Sequence, residues 1–281
     1  MNNLLKRFFT RKFLKPIIIN YYNNLPKEKV SDEESLVIQY LKSNKLFAFP
    51  YDFTKKYKPS DIRIQKDEEQ NLFYMIYNGK KLFYKNGKRK KKAQKYFNSI
   101  LLEQDKESPH RYLTDEFNIK KNDIVVDVGA AEGNFALDVI DKAKKIYLFE
   151  SDPEWKAALE ASFNPWKEKV SIIQKEVSDK NDDKHVSLDV FFADKEDFNI
   201  LKIDVEGAEQ LVLNGVKKSI GKAKKRKIAV CTYHRQHDSK LFAKFFKEHD
   251  FQTSLSKGYM IFRRNIEKPY LRKGLIWAIK I

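Results

Sequence analysis

Residues 122–140, NDIVVDVGAAEGNFALDVI, run from an apolar strand through a glycine turn into a helix. This order is typical of the first strand, loop and helix of a parallel α/β sheet. In such sheets ligands bind beyond the carboxyl ends of the strands, beside the point where the strand order reverses. The stretch therefore predicts both a class of fold and the place of a ligand.

The alternation of strands and helices continues from about residue 109 to the end of the chain. We predict strands at 124–128, 145–150, 170–176, 199–204 and 227–233, and helices at 133–142, 153–163, 187–192, 207–219 and 238–249. Two closing strands, 251–256 and 258–263, have no helix between them, so we expect an antiparallel hairpin. The predicted fold is α/β, a mostly parallel seven-stranded sheet with helices on both faces and a terminal antiparallel hairpin.

The first part of the chain follows a different pattern. We predict a helix at Asp32–Ser43, a tight hairpin at Asn78–Gly79 and a basic helix at Lys90–Leu102. Residues 1–108 are therefore interpreted as an α+β extension that serves as a lid or substrate-recognition region. Residues 109–281 are interpreted as the ligand-binding domain.

Composition excludes several classes of protein. A hydrophobic content of 42% is enough for a full core, and the one cysteine, Cys231, excludes a disulfide framework and a cysteine-rich zinc site. No apolar run approaches the roughly 18 residues of a membrane span. We expect a cytoplasmic protein, with peripheral association at the inner membrane surface as an alternative.

The net charge of +17 suggests a polyanionic partner. The densest basic patch is Lys80–Lys95, and a second candidate surface is an apolar helical face near the start, flanked by basic residues and formed by Leu4, Leu5, Phe8, Phe9, Phe13 and Leu14. Because lysine supplies most of the charge, spread over the whole length, and arginine is scarce, a solvated lysine-rich surface is the favoured interpretation. An anionic membrane surface is the alternative partner, and nucleic acid is less favoured.

The glycine loop distinguishes between cofactors. A dinucleotide fingerprint requires G-x-G-x-x-G, but here the order is Gly129, Ala131, Gly133. This spacing fits the looser D-x-G-x-x-x-G pattern of methyltransferases. Asp127 would repel a pyrophosphate and could attract the ammonium group of S-adenosylmethionine, directly or through water.

The next two strands add candidate contacts. Glu150 ends the second strand about 20 residues after the loop, where a carboxylate can accept hydrogen bonds from ribose hydroxyls. Val177 and Ser178 follow the third strand and would lie beside an adenine. Asp152 and Pro153 are better suited to starting the next helix.

The fourth strand carries the most specific stretch, NILKIDVEGAEQLVLNGV. Together with VDVGAAEGNF, LFES and VSLDVFF, it resembles the FkbM family of S-adenosylmethionine-dependent methyltransferases over roughly residues 109–263. The resemblance implies a class I Rossmann-like fold and transfer of a methyl group to a hydroxyl oxygen of a sugar or natural product. The cofactor-binding residues that we predict are Asp127, Gly129, Ala130, Ala131, Gly133, Asn134, Phe135, Glu150, Ser151, Val177 and Ser178.

Methylation of a hydroxyl requires a group that accepts its proton. Asp204 ends the fourth strand and His234 the fifth, and a neutral histidine is plentiful at neutral pH. Asp204 can act as the base, orient the acceptor or contact the cofactor, and Glu206 is a third candidate at the same rim. His110 and Arg111 could also reach the site. We expect no metal, because the spacing of acids and histidines carries no zinc signature.

Two other functions stay open at this point. An RNA ribose 2'-O-methyltransferase would suit the basic charge, although residues 1–108 show no RNA-binding motif. A non-catalytic protein that binds nucleic acid or anionic membranes would use the same fold. The intact set of Asp127, Gly129, Gly133, Glu150 and Asp204 favours the enzyme.

Overall fold

The computed structural model describes residues 3–85, 87, 89–264 and 266–281, with side chains of the first helix described from residue 13 onward. The predicted apolar face at Leu4, Leu5, Phe8 and Phe9 therefore lies outside the described side chains. In the described residues no helix is both long enough and apolar enough to cross a membrane.

The first hundred residues contain α-helices and a small antiparallel sheet. Their elements are α1 (Asn3–Asn23), α2 (Asp32–Ser43), β1 (Gln65–Asp67), β2 (Leu72–Tyr77), β3 (Lys80–Tyr84) and α3 (Lys90–Glu103). Ser31 caps α2 through a reciprocal pair of bonds with Glu34. Asn78 and Gly79 have φ angles of 49° and 78°, which suit the tight turn between β2 and β3. The predicted helix at Asp32–Ser43 and the hairpin are confirmed.

The rest of the chain alternates strands and helices. The elements are β4 (Ile124–Val128), α4 (Asn134–Val139), β5 (Lys145–Phe149), α5 (Lys156–Phe163), β6 (Val170–Ile173), β7 (Glu176–Val177), β8 (His185–Val186), α6 (Leu188–Phe191), β9 (Ile200–Ile203), α7 (Glu209–Asn214), α8 (Lys217–Lys222), β10 (Arg226–Cys231), α9 (Asp238–Lys247), β11 (Gln252–Leu255) and β12 (Leu275–Lys280).

Seven of these strands form one sheet in the order β11-β12-β10-β9-β4-β5-β6. Every neighbouring pair from β10 to β6 is parallel, and β12 runs antiparallel to both β10 and β11. Apolar cores cover both faces of the sheet. The predicted α/β fold is confirmed, and its order places the carboxyl ends of β4, β5, β9 and β10 along one edge.

The predicted closing hairpin is wrong in its last strand. Residues 258–263 form no strand; Met260 makes an isolated bridge with Arg272, and the antiparallel strand is β12. Met260 packs into the core on one face of the large sheet, but its neighbour Ile261 packs elsewhere. Ile261 joins a core with residues of α1 and α2, including Ile18 and Leu41, instead of adding to the sheet.

Two other predicted elements are shorter than expected. The helix at 207–219 is divided into α7 and α8 at Gly215, where a Cβ atom would lie 2.0 Å from the carbonyl oxygen of Ser178. The strand at 170–176 ends at Ile173, because Glu176 and Val177 pair with β8 instead.

The hairpin formed by β2 and β3, together with α3, packs directly on the large sheet and its helices. The amide of Phe83 donates to the Oγ of Ser162 at 3.0 Å, and the hydroxyl of Tyr77 donates to Asp138 at 2.9 Å. Phe97 of α3 belongs to the same apolar core as residues of β4 and β5. This packing holds α3 beside the carboxyl edge of the sheet.

Part of the predicted basic patch is neutralised locally. Lys80 pairs with Asp141, Lys81 with Asp67, and Lys85 with both Asp152 and Glu154. Further along the patch, Lys90, Lys91 and Lys92 are exposed. Asn86 and Lys88 of the patch lie outside the described residues.

Candidate active site

A cavity of about 650 Å³ opens at the carboxyl edge of the sheet. Its walls come from the loops after β4, β5, β6 and β9, and from α3 on the opposite side. The residues that line it are Tyr84, Lys85, Tyr96, Ser99, Ile100, Glu103, Tyr112, Val128, Gly129, Ala130, Ala131, Glu132, Asn134, Phe149, Glu150, Ser151, Asp152, Trp155, Lys175, Glu176, Val177, Lys202, Asp204, Val205, Glu206, Ala208 and Tyr233. The ligand position predicted from the sequence and this cavity coincide.

The glycine loop is pressed against the neighbouring strand. Gly129 has a φ of 74°, and a Cβ atom there would lie 1.9 Å from the carbonyl oxygen of Asp204. The amides of Gly129 and Ala130 both donate to the carbonyl oxygen of Phe149. Glycine is therefore required at position 129 by both backbone conformation and close approach.

Glu150 is held rigidly at the edge of the cavity. Its Oε2 accepts a hydrogen bond from the amide of Ala131 at 2.8 Å, and its Oε1 accepts one from the amide of Asp152 at 2.7 Å. A carboxylate has about four acceptor positions, so each oxygen keeps capacity for a ligand. The first of these bonds keeps Ala131 in a left-handed conformation, with a φ of 47°.

Asp127 lies behind the cavity wall. Its carboxylate is fully buried and pairs with Lys202 at 2.9 Å, while the Nζ of Lys202 also donates to the carbonyl oxygen of Gly129 at 2.6 Å. Burial lowers the pKa of Lys202, but the charges of Asp127 and Asp204 outweigh burial and raise it. The sequence analysis missed Lys202, although a lysine inside an apolar strand is itself a signal of a buried partner.

Asp204 lies where several side chains converge on the cavity. The hydroxyl of Tyr112 donates to its Oδ2 at 2.7 Å, and the Nε2 atoms of His110 and His234 lie 3.6 and 3.7 Å from its carboxylate. Burial would raise the pKa of Asp204, but His110 and the charge of Lys202 hold it well below its usual range. Asp204 is therefore an ionised hydrogen-bond acceptor at neutral pH.

His234 is buried beside Asp204 and does not line the described cavity. Its Nδ1 lies 2.7 Å from the Oε1 of Glu209, which also accepts hydrogen bonds from the amides of Val205 and Gly207. Burial lowers the pKa of His234, but Glu209 and the charge of Asp204 outweigh that effect and raise it. The ring faces Tyr233, with 4.1 Å between the ring centroids.

Glu206 lines the outer part of the cavity. Its exposed side chain accepts a hydrogen bond from Arg264 at 2.8 Å, and its backbone has a φ of 55°. Left-handed residues other than glycine are uncommon and concentrate at functional sites. Both Ala131 and Glu206 have this conformation, and both line the cavity.

The remaining predicted cofactor residues divide into two groups. Ala130, Ala131, Asn134, Ser151 and Val177 line the cavity. The residues of a second group support the loops instead. Gly133 caps α4 with a φ of 85°, Phe135 is buried against Tyr112, and Ser178 is buried and bonded to the amide of Lys180.

Two sets of potential metal ligands share Asp204. One is His110, Asp204 and Cys231, and the other is Asp204, Glu209 and His234; in each set the ligand atoms lie within 4.8 Å of one another. The second set is already accounted for by the contact between Glu209 and His234 and by the backbone bonds of Glu209. Arg111, which we expected near the site, donates instead to the carbonyl oxygens of Leu113 and Gln104.

Comparison with known proteins identifies the family. The sequence profile described as the Methyltransferase FkbM domain matches residues 80–259. This chain belongs to the FkbM methyltransferase family. The match includes β3 and α3 as well as most of the large sheet, so it extends into the part of the chain that precedes the glycine loop. No curated protein matches the chain.

Solved structures are similar to this chain at low sequence identity. The methyltransferase FkbM of Methylobacillus flagellatus KT is 14% identical, with a TM-score of 0.50 over 94% of this chain and 58% of that one. This chain thus spans less than two thirds of that protein. The precorrin-6y C5,15-methyltransferase of Geobacter metallireducens GS-15 is 12% identical (TM-score 0.42, 58% of this chain and 83% of that one). An rRNA methylase of Streptococcus thermophilus is 15% identical (TM-score 0.41, 58% and 89%).

Proposed function

We propose that this FkbM-family chain uses S-adenosylmethionine to methylate a hydroxyl oxygen of a sugar, glycan or other small-molecule acceptor. The observation that carries the proposal is Glu150, whose two oxygens are fixed by backbone amides while their free acceptor positions remain for ribose hydroxyls. Phe149 and Val177 provide apolar wall beside it, where an adenine would pack. The residues of this cavity therefore fit the cofactor.

Bound S-adenosylmethionine would supply an electrophilic methyl group in this cavity. Asp204, which is ionised and lines the cavity, accepts the hydrogen bond of the acceptor hydroxyl and so fixes its orientation. Tyr112 and His110 hold the Asp204 carboxylate in place. The hydroxyl proton passes through Asp204 to the neutral ring of His234, which lies 3.7 Å away and whose raised pKa favours holding it, so that Asp204 returns to its carboxylate form.

The charges of the cavity favour an uncharged polyol over a nucleic-acid acceptor. Asp204 and Glu206 line it, and carboxylates repel phosphodiesters. The basic residues of the chain lie mostly outside the cavity walls. This distribution supports a sugar hydroxyl and gives no support to RNA ribose methylation.

Replacing Glu150 with alanine is expected to weaken binding of S-adenosylhomocysteine about 10-fold to 100-fold. A hydrogen bond to a charged group contributes roughly 1.5–3 kcal/mol, and each 1.4 kcal/mol corresponds to about a tenfold change in affinity. Isothermal titration calorimetry measures the change. Glu160→Ala on the exposed face of α5 is the matched control, and equal affinities for the two variants would contradict the assignment of Glu150.

A further inference from the structure

The cavity contains a buried carboxylate that the proposed function leaves without a role. Asp127, which the sequence suggested as the partner of the cofactor's ammonium group, is occupied by Lys202. Glu132 lies in the same glycine loop, three residues after Gly129, and lines the cavity. It is 2% exposed, so its side chain is nearly removed from bulk water.

Glu132 has a hydrogen-bond donor but no ion pair with a cation in the part of the chain that the structure describes. The hydroxyl of Tyr96, from α3, donates to its Oε2. Among the charged groups that act on Glu132 are Glu103, also on α3, and Lys202 on β9. Lys202 is already bonded to Asp127 and to the carbonyl oxygen of Gly129. A carboxylate this buried is costly to ionise unless a positive charge approaches it.

Glu132 follows Ala131, which contacts the ribose side of the cavity, along the glycine loop. The amide of Ala131 donates to Glu150, which marks the ribose side of the cavity in the proposed function. Glu132 is the next residue, and the carboxylate of Glu103 lies on the facing helix. Glu132 and Glu103 thus give the cavity carboxyl groups in addition to that of Glu150.

We propose that Glu132, held by Tyr96, binds the ammonium group at the methionine end of the cofactor. The proposal rests on the proposed function, because it assigns one end of the same ligand. It places the adenosine beside Glu150 and the amino-acid end beside Glu132. Asp127 then has a structural role, as the partner that holds Lys202 against the loop.

The protonation of Glu132 gives the proposal a pH signature. Burial raises the pKa of Glu132 to about 7, against the opposing effect of the hydrogen bond from Tyr96. The pKa of Glu103 is also raised by burial, whereas Lys202 stays charged. An ammonium group favours the ionised form of Glu132, so its binding releases a proton near neutral pH. The affinity for a ligand with this group should therefore rise between about pH 6 and about pH 8.

Two ligands distinguish binding of the ammonium group by Glu132 from a general change in the shape of the cavity. S-adenosylhomocysteine carries the ammonium group, whereas 5′-methylthioadenosine has the same adenosine and thioether without the amino-acid end. We expect Glu132→Gln to weaken binding of S-adenosylhomocysteine about 10-fold to 100-fold, as the loss of one charge-assisted hydrogen bond predicts. Binding of 5′-methylthioadenosine should change by less than about twofold, since the deleted contact is not part of it.

Calorimetric titration of the full chain at about pH 6 and about pH 8 provides the test. The wild-type protein should bind S-adenosylhomocysteine more tightly at the higher pH, and Glu132→Gln should remove most of this difference. Tyr96→Phe, which deletes the donor and keeps the ring, should weaken binding less than Glu132→Gln does. Glu160→Gln is the matched control, and it should behave as wild type.

The outcomes that overturn the inference differ from those that overturn the proposed function. If Glu132→Gln weakens both ligands equally, Glu132 supports the fold of the cavity and does not bind an ammonium group. If S-adenosylhomocysteine binds wild type and Glu132→Gln with the same affinity, the inference alone is wrong. If wild type binds neither ligand, the proposed function is wrong and the inference falls with it.

Discussion

Lys202→Met is expected to lower the free energy of unfolding by about 3–5 kcal/mol, the usual cost of breaking a buried ion pair. Lys202 is 3% exposed and Asp127 is fully buried, so the variant leaves a carboxylate without its counter-charge in the centre of the sheet. Loss of the bond from Lys202 to the carbonyl oxygen of Gly129 adds to the cost. Urea denaturation, followed by circular dichroism, measures the difference.

The double variant Asp127→Asn/Lys202→Met distinguishes the energetic effect of an unpaired buried charge from the effect of altered side-chain packing. Because it removes both charges, it should be more stable than Lys202→Met alone. Lys91→Met, at an exposed position on α3, is the control and should stay within about 0.5 kcal/mol of wild type. A Lys202→Met protein with the stability of this control would show that Asp127 has no need of a partner.

Gly129→Ala is expected to destabilise the protein by about 3 kcal/mol or more and to abolish detectable cofactor binding. The new Cβ atom would lie 1.9 Å from the carbonyl oxygen of Asp204, and the φ of 74° is unfavourable for alanine. Relief of this overlap must move either the glycine loop or the end of β9, and both are walls of the cavity. Thermal denaturation and titration with S-adenosylhomocysteine measure the two effects.

Gly221→Ala is the matched control for this substitution. Gly221 lies in α8, and no atom lies within 4 Å of the position that its Cβ would occupy. Alanine there should raise stability by about 0.5–1 kcal/mol through the higher helix propensity. If both variants bind S-adenosylhomocysteine like wild type, the close contact between the loop and β9 does not shape the site.

The sequence predicted the sheet because its strands are buried on both faces. Runs such as Ile124–Val128 and Ile200–Ile203 are apolar except for Asp127 and Lys202, which pair with each other, and glycine turns or helix caps mark their ends. The same criterion failed at 258–263. Met260 and Ile261 are both buried, as their apolar side chains indicate. The sequence pattern indicates that a residue is buried but not which part of the protein covers it, and Ile261 is covered by residues of α1 and α2.

The candidate site was predictable where a backbone feature requires a residue type. Gly129 and Glu150 follow from the loop and the strand end, and the structure places both at the cavity. The sequence did not show which of Asp127 and Glu132 faces the cavity. Asp127 pairs with Lys202 behind the cavity wall, whereas Glu132, after the turn, lines the cavity. The contributions of Tyr96 and Glu103 required the packing of α3 on the sheet, a contact between segments that no local pattern encodes.

The most direct test of the account is a crystal structure of this chain in complex with S-adenosylhomocysteine. We expect the ribose hydroxyls to lie within hydrogen-bond distance of Glu150, the adenine to pack near Phe149 and Val177, and the amino-acid end to extend toward Glu132. A ligand bound outside this cavity, or bound in it with its adenosine away from Glu150, would contradict the central claim.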